Sequence, residues 1–74
     1  MSSSKTISSD IELLTAALLQ RKVAVWCRTA DDIYVLLDEG GLIEKYSPDS
    51  VRIRYAHRDR AEYYLRSECE FRIE

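Results

Sequence analysis

The chain has 74 residues, 46% of them apolar and 32% charged, and a formal charge of −2. That is a single domain near the lower size limit for folding unaided; a core this small yields only ~3–5 kcal/mol, so self-association is a natural supplement. No run of about 18 apolar residues supports a membrane span, and the net acidity argues against nonspecific binding of duplex DNA.

Taken in chain order, Met1–Ser8 holds four serines and a lysine without periodicity and is expected to be a disordered tail. Residues 9–74 are expected to form one small domain. Ser9-Asp10-Ile11-Glu12 matches a capping box, which places a helix start at Ser9. Asp10 and Glu12 suit the positive end of that helix, and Arg21 and Lys22 the negative end. Ile11, Leu14 and Leu18 fall on one stripe, widened by Leu13, Ala16, Ala17 and Leu19. A helix this broadly apolar buries more than one side, so Leu13 and Leu19 are candidates for an interface between subunits.

After Lys22 the period changes to two. Val23, Val25 and Cys27 oppose Ala24, Trp26 and Arg28 in a first strand. Ile33–Leu37 is apolar on both faces and is expected to be a covered second strand. Trp26 and Tyr34 lie opposite the aliphatic sides of these strands, positions for packing under the helix or anchoring a partner. Asp38-Glu39-Gly40-Gly41 reads as a turn, Leu42–Tyr46 as a third strand, Ser47-Pro48-Asp49-Ser50 as a turn and Val51–Tyr55 as a fourth strand. His57–Arg60 is a basic turn. Alternation from Tyr63 to Glu74 predicts one long last strand, with Asp59–Leu65 as a helical alternative at its start. The fold expected is α+β, mainly β: an N-terminal helix followed by a five-stranded antiparallel barrel of the Sm-like or SH3-like kind.

Cys27 and Cys69 sit in apolar-rich runs with no secretory leader in view, so two free, buried thiols in a reducing cytoplasm are expected, with one disulfide as an alternative that no sequence feature supports. One histidine and no Cys-x-x-Cys spacing argue against zinc. The acidic pairs Asp31-Asp32 and Asp38-Glu39 read as turn residues, and no phosphate-binding glycine loop is present. No cofactor is expected. No nucleophile with a spaced base and acid is apparent, so an enzyme is not expected and no catalytic residue is assigned.

Residues 51–66 hold five of the eight arginines, the only histidine and three of the five tyrosines. Cations interleaved with aromatic rings neutralise phosphates and stack bases. Arg52, Arg54, His57, Arg58, Arg60, Tyr64 and Arg66 are therefore candidate contacts for single-stranded RNA. By parity Arg52 and Arg54 share a face, as do Tyr64, Arg66, Glu68, Glu70 and Arg72. Two registers of a hairpin fit. One sets Arg52 and Arg54 opposite Glu70 and Glu68, leaving a solvated, neutralised face. The other sets Arg54 opposite Arg66 and leaves a basic face that attracts an anion.

The local charge sums to −5 over residues 31–50 and +3 over 51–66, so the chain can also bind copies of itself head to tail. Two functional classes follow: a small oligomeric RNA-binding module, or a protein-interaction module that does not bind nucleic acid.

The helix, then Lys22-Val23-Ala24-Val25, then Gly41-Leu42-Ile43-Glu44-Lys45-Tyr46, then the run from Val51 resemble the Sm-like fold, in particular its bacterial RNA-chaperone branch. The resemblance implies a homo-oligomeric ring that binds single-stranded RNA without chemistry. It carries over to Tyr64 and Arg66, which match part of a Tyr-Lys-His motif in that branch. The chain departs from the pattern at Ser47-Pro48-Asp49-Ser50, where the family has a polar asparagine- or glutamine-bearing loop.

Overall fold

A computed structural model describes residues 5–74. It is mainly β with one helix: β1 (Lys5–Ile7), α1 (Asp10–Leu18), β2 (Lys22–Arg28), β3 (Tyr34–Tyr46), β4 (Ser50–Tyr55), a 3-10 turn at Ala56–Arg58, β5 (Arg60–Leu65) and β6 (Cys69–Ile73). All strand pairs are antiparallel, in one sheet ordered β1-β6-β2-β3-β4-β5. The outermost strands, β1 and β5, do not pair with each other, so the sheet is open and has six strands where the sequence reading counted five.

The extra strand comes from the expected tail. Lys5–Ile7 pairs with Phe71–Ile73, and the burial of Ile7 together with that pairing orders the segment. Residues 1–4 of that tail lie outside the described residues. The helix starts as read: Ser9 Oγ accepts from the Glu12 amide at 3.2 Å, and the Glu12 carboxylate accepts from the Ser9 amide at 3.2 Å. Its buried side is Leu13 and Ala16, while Ile11, Leu14, Leu18 and Leu19 face outward. No basic residue falls in its last turn, so Arg21 and Lys22 lie beyond the negative end.

Asp38-Glu39-Gly40-Gly41 is not a turn. It lies inside β3, which fuses the two strands expected on either side of it. Gly40 has φ +77°, a conformation that costs glycine nothing, and register shifts against β2 accompany it; together they bend the strand rather than reverse it. Gly41 is required for another reason. A Cβ there would collide with Ile53 Cγ2 and lie 2.7 Å from Tyr55 Cε1, so the bent strand can close onto β4 only without a side chain.

The expected last strand is instead two. Residues 66–68 form a turn, closed by the Glu68 amide donating to the Leu65 carbonyl at 3.2 Å, and β5 and β6 go to opposite ends of the sheet. β5 pairs with β4 with Arg52 opposite Tyr63 and Arg54 opposite Ala61, neither of the two registers considered. β6 pairs with β2, with Trp26 opposite Glu70 and Cys27 opposite Cys69. The helical alternative at Asp59–Leu65 is not taken.

The cysteines form a disulfide, not two free thiols. The Arg28 amide donates to the Glu68 carbonyl, so Cys27 turns its own backbone groups toward β3; Cys27 and Cys69 are then a non-hydrogen-bonded pair, the closely spaced kind. Their Cα atoms lie 4.1 Å apart. Only the β2–β6 pairing brings them together, and that contact spans 42 residues of sequence.

Val23, Val25, Ile43, Val51, Ile53, Tyr55 and Phe71 fill the concave side of the sheet, closed from above by Leu13 and Ala16 of α1 and Ile7 of β1. Among the described residues no helix is long and apolar enough to cross a membrane.

Candidate functional site

The basic and aromatic residues singled out in the sequence fall in four places. Alternation along β4 points Val51, Ile53 and Tyr55 into the core and Arg52 and Arg54 outward. The outward pair meets Glu44 of β3. The Arg52 Nε lies 2.6 Å from Glu44 Oε1, and the Arg54 Nε donates to Glu44 Oε2 at 2.6 Å. The Arg52 contact is one of charge, because its Nε–H is not aligned on the carboxylate. The hydrogen bond from Arg54 does most to hold the Glu44 carboxyl below the usual range, with the charges of Arg52 and Arg54 adding to it. Glu44 therefore takes the part that one of the two hairpin registers gave to Glu68 and Glu70.

Tyr64 points inward, not onto the arginine face. Its hydroxyl lies 2.8 Å from that of Tyr55, and its ring meets Phe71 edge to face at 6.3 Å. The turn at residues 66–68 reverses parity between β5 and β6, so Tyr64 and Phe71 share the core side. Burial, then the Tyr64 hydrogen bond, pushes the Tyr55 hydroxyl well above the ordinary tyrosine range. Neither phenol ionises at physiological pH.

Arg66 is bound into the fold. Its guanidinium donates to Asp10 Oδ1 at 2.8 Å, to the Ser47 carbonyl at 2.7 Å and to the Ser8 carbonyl at 2.8 Å. It ties the end of β5 to the β3–β4 turn and to the start of α1, and is 18% exposed.

Arg58, in the 3-10 turn, donates to Asp38 and lies 4.7 Å over the Tyr55 ring. Burial raises the Asp38 carboxyl, but the Arg58 hydrogen bond, the Glu39 amide and the Arg58 charge outweigh it and leave the group lowered. Arg60 pairs with Glu62 at 2.9 Å. His57 is exposed, its ring edge-on to Tyr55 at 6.0 Å. Every arginine on the candidate list thus has a carboxylate partner in its own chain, and the seven residues do not form one surface.

Of the candidate interface residues, Leu13 is fully buried in its own core and cannot reach a partner. Leu19 is exposed. Trp26 lies on the convex side of the sheet, covered by the Arg72 guanidinium 4.3 Å above its ring, and not under the helix. Tyr34 lines a cavity beside Leu13 and Phe71.

Two features went unread in the sequence. Lys45, Tyr46, Ser47, Ser50, Arg52 and Tyr63 line an open cleft of about 280 Å³. Lys45 makes no ion pair among the described residues, and Arg52 lies 5.5 Å over the Tyr63 ring. The second feature is apolar. Ile33 and Leu37 are 59% and 56% exposed, with Val35 and Leu36 not far below, although the run was expected to be covered on both faces. On α1, Ile11, Leu18 and Leu19 are 67%, 73% and 63% exposed. The aliphatic character of both segments was plain in the sequence, but their exposure was not, because it depends on where the helix docks. Among the described residues no group of three His, Cys, Asp or Glu side chains is placed to hold a metal ion.

No family model, no curated protein and no solved structure matches the chain.

Proposed function

We propose that the chain is a non-catalytic protein-interaction module that associates with copies of itself. The observation that carries this reading is the uncovered aliphatic surface of α1 and of the first half of β3. Patches of this kind on a small domain mark sites of protein contact. The commitment of Arg52, Arg54, Arg58, Arg60 and Arg66 to four carboxylates of the same chain supports it, since guanidiniums already held in ion pairs have less to offer a phosphate backbone.

The cleft beside Tyr63 favours a second reading, a module for single-stranded RNA, because Lys45 and the Tyr46 and Tyr63 rings stand there together. The order β6-β2-β3-β4-β5 after an N-terminal helix is in keeping with an Sm-like barrel, for which the same ligand is expected. Sedimentation of the protein alone and with labelled oligo-U, at low and moderate salt, separates the readings. The first predicts association that persists with salt and free oligonucleotide; a monomer that carries oligo-U only at low salt overturns it.

A further inference from the structure

Among the described residues the outermost strands β1 and β5 each leave an edge unpaired, and part of β3 does so as well. β4 pairs with β3 only from Leu42 onward, so the half of β3 from Tyr34 to Leu37 is hydrogen-bonded to β2 on one side and to nothing described on the other. The Thr29 amide donates to the Ile33 carbonyl, which fixes the parity: Ile33 and Val35 turn their backbone groups toward β2, and Tyr34 and Leu36 turn theirs outward. The run Ile33–Leu37 carries neither proline nor lysine, the usual guards of an edge. A second open edge is β5, last in the sheet. The Arg66 amide donates to the Asp49 carbonyl, so Ala61, Tyr63 and Leu65 turn their backbone groups outward. Tyr63 and Leu65 are also exposed at the side chain.

From this geometry we infer that β5 of one copy adds to the open half of β3 in a second copy, antiparallel, joining the two sheets edge to edge. The inference rests on the self-association reading above and names its surfaces. Charge chooses the occupant. Pairing β3 with β3 about a two-fold axis at Val35, the register that matches Tyr34 with Leu36, would set Asp32 against Asp38 of the other copy, like against like. Pairing with β5 places Leu36 beside Tyr63 and Tyr34 beside Leu65, matching outward backbone groups on both strands. The same register brings Arg60, exposed and paired with Glu62 of its own strand, to the Glu39 end of β3, where it would exchange or share that partner; Glu39 has no ion-pair partner among the described residues. Leu36 and Tyr63 lie on the convex side of their sheets, so the Trp26 face of one copy continues into the Arg52–Tyr63 face of the next. Each copy gives one edge and receives another, a heterologous contact that builds a ring or a filament.

The test is association measured by sedimentation on three sets of variants. Leu36→Pro removes an outward N–H and the Leu36 side chain but no hydrogen bond to β2, as an edge strand tolerates, and is expected to sediment as a monomer with unchanged circular dichroism. Glu39→Arg and Arg60→Glu are each expected to weaken association about five- to tenfold, and the double variant to recover it. If Leu36→Pro does not fold, the charge exchange decides. A wild type that associates while all of these variants associate equally, and only Leu18→Glu is monomeric, overturns the edge contact and leaves the module reading intact. A monomeric wild type overturns both.

Discussion

The Arg66 guanidinium donates to the Asp10 carboxylate at 2.8 Å, across 56 residues of sequence, and so latches the end of β5 to the first turn of α1. The same side chain holds the carbonyls of Ser8 and Ser47. Among the described residues no strand pairing bridges this side of the open sheet, and Arg66 stands in for one. Arg66→Ala leaves those acceptors to water and is expected to cost about 1–3 kcal/mol, read as a lower urea midpoint. Asp10→Asn keeps the two carbonyl bonds and should cost less than half as much.

Reducing the Cys27–Cys69 disulfide, or replacing both residues by alanine, is expected to lower stability by about 2–4 kcal/mol, as for a long closed loop. Thermal melts with and without a dithiol reductant measure it. A double-alanine variant that melts with the wild type would place the cysteines outside the stability of the fold.

Gly41→Ala should destabilise by roughly 1–3 kcal/mol, because the added carbon meets Ile53 and Tyr55 on an element that cannot retreat without opening the β3–β4 pairing. Gly40→Ala meets no neighbour and suffers only from its positive φ, so its cost should be smaller.

Three carboxyls are lowered in the folded chain: Glu12 by the Ser8 and Ser9 amides, Asp38 by Arg58 against its burial, and Glu44 by Arg54. A depressed folded pKa gives stability that is present above the unfolded value and is lost as pH falls through the folded one. Stability should therefore hold from neutral pH to about 4–5 and decline below it. Urea midpoints across that range check the sign, and Glu44→Gln should make the decline shallower.

Glu44→Gln also tests whether the shared carboxylate limits what the arginine face can bind. Arg52 and Arg54 share this one carboxylate, so its loss raises their combined charge from +1 to +2 beside Lys45 and the Tyr63 cleft. The variant is expected to gain binding of oligo-U that weakens steeply with salt, seen as fluorescence anisotropy. If it binds no better than wild type, Glu44 does not limit binding of RNA by this face.

What could be read in the sequence was local. The capping box at Ser9–Glu12 is a matter of four adjacent residues, and the alternation at Val23–Cys27 and Val51–Tyr55 follows from a two-residue period, so the helix start and these strands were found. Which strand lies beside which was not local. The β2–β6 pairing, and with it the disulfide, joins segments that share no pattern. Gly40 and Gly41 fit a turn as well as a bend, and only the Ile53 and Tyr55 side chains distinguish the two. Arg52 and Arg54 were placed correctly on one face, but their partner proved to be Glu44 because β4 lies between β3 and β5 and β6 lies elsewhere.

The central claim is that the aliphatic surface of α1 and β3 binds another copy of the chain. Light scattering on the purified full chain over a wide concentration range tests it most directly. The account predicts a mass of at least twice 8.6 kDa that does not fall as salt is raised. A mass of 8.6 kDa at every concentration would contradict it.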